Sequence, residues 1–263
     1  MIYPVGARIS LGTHSYDGGV TRPWQPVAAG ALVEGAGLVV AGGAGLVMPA
    51  PALVAALGYV GGAAAILTYW GKRRLGAANL VTLARVIGTC WVIGLTLEAW
   101  FGHLGSAGLL VMIVIGVCCL ILDGLDGAIA RHRGESSAFG ARFDMETDAA
   151  LLMSLSLAVS TLGIAGWWVL AIGLMRYAYV AAAWIGPARL RSALRLRLPY
   201  RYSRKVIAVV QGVALLAALA VEAAGLNTRV PMLPTLLLAP ALALLTWSFG
   251  RDVIWQLTRL RTI

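Results

Sequence analysis

The stretch S-A-G-L-L-V-M-I-V-I-G-V-C-C-L-I-L-D-G-L-D-G-A-I-A-R-H-R (residues 106–133), continued by G-E-S-S-A-F-G-A-R-F-D-M-E-T-D (134–148), joins an uncharged apolar run directly to a dense acidic one. Residues 106–122 are apolar and long enough to cross a bilayer core as a helix. Six of the eleven acidic residues then fall between Asp123 and Asp148. Asp123 and Asp126 are three apart, and Asp144 and Asp148 four apart, so in helices each pair projects from one face. Two facing helices would converge four carboxylates on one point. Such a cluster needs compensating charge in a low dielectric, and an all-oxygen ligand set suits Mg²⁺ or Mn²⁺. A divalent-metal site at Asp123, Asp126, Asp144 and Asp148 is therefore expected. Glu146 lies about 200° around the helix from either flanking Asp, at 100° per residue, and is left outside the site.

Outward from this segment, composition bounds the class. Of 263 residues 60% are hydrophobic and 12% charged, with mean hydropathy +0.83, far from a soluble chain in which about a quarter of residues are charged. Apolar runs near 28–49, 52–70, 80–101, 106–122, 145–163, 166–186, 206–224 and 231–249 predict an all-α, polytopic transmembrane helical bundle. The first two are rich in Gly and Ala and are the weakest spans. Residues 1–27 are mixed and polar, with Pro4, Pro23 and Pro26, and do not have the pattern of a cleaved signal peptide. Cys90, Cys118 and Cys119 are odd in number and lie in predicted spans without C-x-x-C spacing, which supports neither a disulfide framework nor a zinc site and predicts buried packing residues.

The net charge of +10 is distributed as a membrane protein distributes it, not as a nucleic-acid binder does. Lys72, Arg73 and Arg74, then Arg131 and Arg133, the run from Arg189 to Lys205, and Arg251, Arg259 and Arg261 flank alternate span ends. Arg229 sits in a loop on the other side. This positive-inside pattern places both termini and the acidic segment at the cytoplasmic face of an integral, multi-pass protein of the cell membrane.

Gly124, Gly127, Gly134 and Gly140 lack side chains where a helix would prefer Ala, which suits close approach of a ligand. Arg131 lies one turn beyond Gly127 and offers a fork of donors to a phosphate oxygen. Carboxylate-held metals with an Arg are equipment for holding a pyrophosphate while one phosphorus is attacked.

These residues carry a resemblance. Positions 123–148 are similar to the signature of the CDP-alcohol phosphotransferase (CDP-alcohol phosphatidyltransferase) family, D-x2-D-G-x2-A-R-x8-G-x3-D-x3-D, with Asp123, Asp126, Gly127, Ala130, Arg131, Gly140, Asp144 and Asp148 at its fixed positions. The segment Asn79-Leu-Val-Thr82-Leu-Ala-Arg85 resembles the family's N-x-x-T-x-x-R at the start of its first core helix. Lys205 and Gln211 match a Lys and a Gln at the start of the fifth, although the Gly usual before that Lys is Arg204 here. The resemblance implies a six-helix catalytic core with about two extra N-terminal helices: residues 1–75 as a polar segment and transmembrane hairpin, 76–263 as the membrane core.

It also implies transfer of a phosphorylated alcohol from a CDP-alcohol to an acceptor hydroxyl, with release of CMP. CDP-diacylglycerol or a related CDP-lipid is the expected donor, and the setting is phospholipid biosynthesis. By the same resemblance two Mg²⁺ or Mn²⁺ ions would sit on Asp123, Asp126, Asp144 and Asp148, and Asp148 would also act as general base. Gly127, Ala130, Gly140, Asn79 and Thr82 would serve the donor nucleotide, and Arg131 its phosphates. Membrane lipids are expected partners, and a homodimer fits the same reading.

The Arg- and Leu-rich stretch 187–205 reads first as a topology signal and lipid anchor, and second as a means of capturing an anionic acceptor alcohol such as a sugar or polyol phosphate. Arg176, Arg204 and Lys205 are the acceptor-site candidates; for Arg176 the alternative is an ion pair with one of the Asp residues. Trp167, Trp168, Trp184, Trp247 and Trp255 read as an interfacial belt, and Glu34 stands alone in the first apolar run. Two other classes compete. A Mg²⁺-dependent intramembrane prenyltransferase would carry its acidic motifs in two separated segments, and a cation transporter would repeat the cluster in internal repeats. Here all four carboxylates lie in one segment and no second copy follows.

Overall fold

The computed structural model describes residues 24–43, 45, 49–70, 77–133, 138–196, 198–199 and 201–260; within the helices, the side chains of 65–70, 77–80, 125–133 and 138–142, with Trp24 and Ala50, are outside the description. Among the described residues the chain is helical, without strands. The elements are α1 (Trp24–Gly43), α2 (Pro49–Trp70), α3 (Ala77–Trp100), α4 (Ser106–Arg133), α5 (Ala138–Thr161), a 3₁₀ turn (Trp167–Val169), α6 (Leu170–Ile185), α7 (Ala188–Leu194), α8 (Tyr202–Ala223), α9 (Leu226–Arg229) and α10 (Leu233–Leu260). In hydrocarbon every backbone polar group must be satisfied within its own segment, and helices do this for apolar sequences of this length.

Six helices, α1, α3, α4, α6, α8 and α10, are long and apolar enough to cross a membrane. α5 has the length, but every 18-residue stretch of it contains Asp144, Glu146 and Asp148. α2 is apolar over Pro51–Ala64. With α5 counted for its place in the bundle, α3, α4, α5, α6, α8 and α10 make the expected six-helix core, and α1 and α2 are the two extra helices.

The helices overrun the apolar runs. α4 continues from 122 to Arg133, α5 starts at Ala138 instead of 145, and α10 reaches Leu260 instead of 249. Charges end a hydrophobic stretch but not a helix, whose hydrogen bonds continue into the aqueous layer. Conversely α1 stops at Gly43 rather than 49, ahead of Gly45 in the left-handed region at φ +67°. α3 and α5 end in paired carbonyl caps: His103 N–H donates to Glu98 O at 2.8 Å and Ile164 N–H to Val159 O at 3.1 Å, around Gly102 and Gly163.

α3 packs on α2, α4 and α5, and α8 on α4, α5 and α10. The α4–α8 seam is made by reciprocal small residues. A Cβ at Gly116 would meet Leu216 at 2.6 Å, and one at Gly212 would meet Leu120 at 2.8 Å, so each glycine receives the other helix's leucine. Leu155, Val159, Leu215, Leu219 and Leu238 are wholly buried in the central core. Val27, Ala55, Tyr59, Leu83, Val86 and Cys90 form a second cluster that seats α1 and α2 against α3. Glu34 is buried there, facing Tyr59, Cys90 and Trp91. Cys90 and Cys119 are buried as expected; Cys118 is not, because adjacent positions on a helix point about 100° apart, which turns it to the exposed face of α4. Because successive core helices alternate in direction, the C-terminal ends of α4, α6 and α10 meet the N-terminal ends of α3, α5 and α8 at one end of the bundle.

Candidate active site

At that end the helices enclose a cavity of about 410 Å³. Its polar lining is Asp123 from α4, Asp144 and Asp148 from α5, Arg176 and Tyr179 from α6, Arg204 and Lys205 from α8, and Ser248 and Asp252 from α10. The remainder is apolar, including Leu120, Leu151, Ile207, Val209, Leu245 and Phe249. Such a site suits an amphiphile with a charged head and a hydrocarbon tail.

Among the described residues three of the expected carboxylates converge. One ligand oxygen from each of Asp123, Asp144 and Asp148 lies within 4.8 Å of the others. Between them sits Arg85 of α3, 1% exposed; its Nη1 pairs with Asp144 Oδ1 and lies 3.3 Å from Asp123 Oδ1, while its Nη2 pairs with Asp148 Oδ1. Among the described residues three carboxylates gather on this guanidinium, an all-oxygen donor set that fits a hard divalent cation. Arg85 shows where a cation is held. Its partner on the sequence side, Thr82, is buried one turn earlier on α3. The side chains of Asp126, Gly127, Ala130, Arg131, Gly140 and Asn79 lie outside the described residues, although the helical path of α4 to Arg133 is described.

Arg85 was visible in sequence only as the last letter of N-x-x-T-x-x-R, and nothing in its local spacing points to an acidic cluster 38 and more residues away. Glu146 points away from the cluster, as its helical phase requires, and pairs with Arg176 at 2.5 Å. This corrects the alternative in which Arg176 pairs with an Asp: the Asp face of α5 is already taken by Arg85, and α6 packs on the flank that carries Glu146.

The opposite wall is a polar seam on α10 made by Ser248, Asp252 and Gln256, spaced four apart and all buried. Arg204 binds Asp252 through two bonds, Nε to Oδ2 at 2.6 Å and Nη2 to Oδ1 at 3.2 Å. Gln256 accepts from Tyr179 Oη at 2.8 Å and donates to the carbonyls of Leu194 at 3.4 Å and Leu196 at 2.9 Å, which ties the end of α7 to α10. Asp252 and Gln256 were not singled out in sequence; the signal was an Asp and a Gln at helical spacing within an amphipathic C-terminal helix. On the outer side Arg251 stacks over the Trp247 ring at 4.6 Å, and Trp167, Trp168, Trp184 and Trp247 are exposed as a belt requires, with Trp255 half-buried.

The CDP-alcohol phosphatidyltransferase family matches residues 75–249, which contain every residue lining the cavity except Asp252. The chain belongs to this family. Two curated relatives, from Mycobacterium tuberculosis strains CDC 1551 / Oshkosh and ATCC 25618 / H37Rv, each carry the name "Probable phosphatidylglycerophosphate synthase". Each is 31% identical over 151 residues, which cover 55% of this chain and 66% of the relative, just under two thirds of its length. No solved structure matches. Family membership favours a transferase over the intramembrane prenyltransferase and the cation transporter.

Proposed function

We propose that this chain is a phospholipid-synthesising transferase that moves a phosphatidyl group from CDP-diacylglycerol, or a closely related CDP-lipid, to a phosphorylated polyol such as glycerol phosphate, releasing CMP. The observation that carries this is the meeting of three carboxylates around a buried guanidinium at the polar end of an otherwise apolar cavity, in a chain of this family. The relatives' name, with phosphatidylglycerophosphate as product, supports the acceptor class. Residues 76–263 would form the catalytic core and 1–75 an appended hairpin. The distribution of Lys and Arg supports a cytoplasmic-facing site.

Two divalent ions, Mg²⁺ or Mn²⁺, would be held by Asp123, Asp126, Asp144 and Asp148. When bound they supply charge neutralisation on the pyrophosphate and polarise the attacked phosphorus. The chain's own residues do the rest. Arg85 pins Asp144 and Asp148 to α3 and so fixes the carboxylates before substrate arrives, which lowers the cost of reorganisation. Gly127, Ala130, Gly140, Asn79 and Thr82 would shape the nucleotide pocket, and Arg131 would contact the donor phosphates. Asp148, half-exposed and on the cavity wall, takes the proton of the acceptor hydroxyl as its oxygen bonds to the lipid-bearing phosphorus. The bond from that phosphorus to the bridging oxygen breaks, and CMP leaves with the electron pair. The leucine-lined part of the cavity would receive the acyl chains, while Arg176, Arg204 and Lys205 face the incoming acceptor.

The test is to incubate purified protein with labelled CDP-diacylglycerol, Mn²⁺ and a panel of alcohols, following CMP and lipid product together. Glycerol phosphate should give both. CMP and lipid product from serine or choline but not from any phosphorylated alcohol would overturn the acceptor class, and no CMP with any alcohol would overturn the reaction.

A further inference from the structure

The chain departs from its family's pattern at one lining position, since Arg204 stands where a Gly is usual, and the departure has a partner. Arg204 is held by both oxygens of Asp252, a buried residue that lies just beyond the family match at residue 249. The contact is doubled: Arg251 donates to Ser203 Oγ at 3.3 Å, so two consecutive residues in the first turn of α8 are fastened to two consecutive residues of α10. Adjacent residues on a helix point about 100° apart, so fixing Ser203 and Arg204 fixes where Lys205 points. Lys205 is exposed and lines the same cavity as Asp144. Of the cations lining the cavity, Arg176 is paired with Glu146 and Arg204 with Asp252, whereas Lys205 has no ion pair among the described residues.

We propose that Asp252 is a positioning residue for the acceptor side of this site: through Arg204 it sets the rotation of α8 so that Lys205 presents its ammonium to the anionic group of the acceptor. It also neutralises Arg204, so that Lys205 is the cation the acceptor meets. This rests on the acceptor class proposed above. An anion approaching three carboxylates needs cationic guidance from a fixed direction, and a charge on a flexible four-carbon stem supplies that only if its backbone is held.

The chain has only two lysines, Lys72 and Lys205, which makes a direct test possible. Full-length protein in lipid nanodiscs is treated with an amine-acylating reagent over a range of glycerol phosphate concentrations, and modification at both lysines is read by mass spectrometry, with Lys72 as internal reference. In wild type glycerol phosphate should protect Lys205. In Asp252→Asn the protecting concentration should rise about tenfold, the effect of weakening one charge-assisted bond. Arg204→Gln, which breaks the same pair from the other side, should give the same shift, and Asp252→Glu should recover most of it. In CMP release, Asp252→Asn should raise the acceptor KM by a similar factor and leave the CDP-lipid KM within about twofold. In a Lys205→Met background it should add nothing further to the acceptor KM.

Unchanged protection in both Asp252→Asn and Arg204→Gln, or an undiminished effect of Asp252→Asn without Lys205, would overturn the proposal. So would a failure of glycerol phosphate to protect Lys205 in wild type while CMP release proceeds. The protection assay needs no turnover, so a protection shift without any CMP release would count against the transferase reading and leave the positioning role standing.

Discussion

The two polar walls of the cavity are built on different principles. The acidic wall, Asp123, Asp144 and Asp148 around Arg85, is among the described residues an excess of one charge gathered on a buried counter-ion. The wall across from it is balanced at its charged and amide groups: Arg204 pairs with Asp252 and Gln256 with Tyr179. An unbalanced cluster is costly in a low dielectric and persists where a ligand completes it, whereas a balanced seam costs less and gives rigidity. The contrast separates the part of the site that does chemistry from the part that holds shape, and substitutions in the two walls should differ accordingly.

The largest effect is expected from Asp148→Asn. Loss of the general base should lower kcat by about 10³-fold, within the range for positioned acid–base groups, while CDP-lipid binding measured by equilibrium dialysis is largely retained. If binding fell as far as kcat, Asp148 would be a ligand-holding residue only. Next is Arg85→Met, which strips the acidic wall of its counter-ion and should destabilise the protein by about 3–5 kcal/mol, the cost of breaking a buried ion pair. Thermal unfolding in detergent should show the loss, and Mn²⁺ should restore more stability to this variant than to wild type. Equal Mn²⁺ stabilisation in the two proteins would mean that Arg85 and the metal do not share the cluster.

On the balanced wall, Gln256→Leu leaves Tyr179 and two backbone carbonyls unpartnered and should cost about 1–3 kcal/mol. Trypsin should then cut faster after Arg195, beside the carbonyls that Gln256 holds, and unchanged cleavage would show that the seam does not restrain it. Smallest is Glu146→Gln. The pair with Arg176 is half-exposed and worth about 0–1 kcal/mol, so stability and kcat should be nearly unchanged. A loss comparable to that of Asp148→Asn would overturn the assignment of faces on α5.

The acidic wall was legible in sequence because its residues are close in the chain: three- and four-residue spacings on helices determine faces, and Asp123, Asp144 and Asp148 converge while Glu146 does not. The helical bundle was legible from apolar runs, although their ends were placed too early on α4 and α10, where the helices continue through charged turns. What escaped was whatever depends on how separate helices meet. Arg85 reaches Asp144 across 59 residues, and Arg204 reaches Asp252 across 48. No periodicity within either segment encodes those pairings; they follow from the direct packing of α3 on α5 and of α8 on α10.

The measurement that bears most directly on the central claim is Mn²⁺-dependent CMP release from CDP-diacylglycerol and glycerol phosphate by chelator-treated protein, compared with Mn²⁺ binding by electron paramagnetic resonance in the same samples. Wild type should be inactive without metal, regain activity as Mn²⁺ binds, and lose both binding and activity in an Asp123→Asn, Asp144→Asn double variant. CMP release at full rate without metal, or undiminished Mn²⁺ binding in the double variant, would contradict a metal-assisted transfer at this cluster.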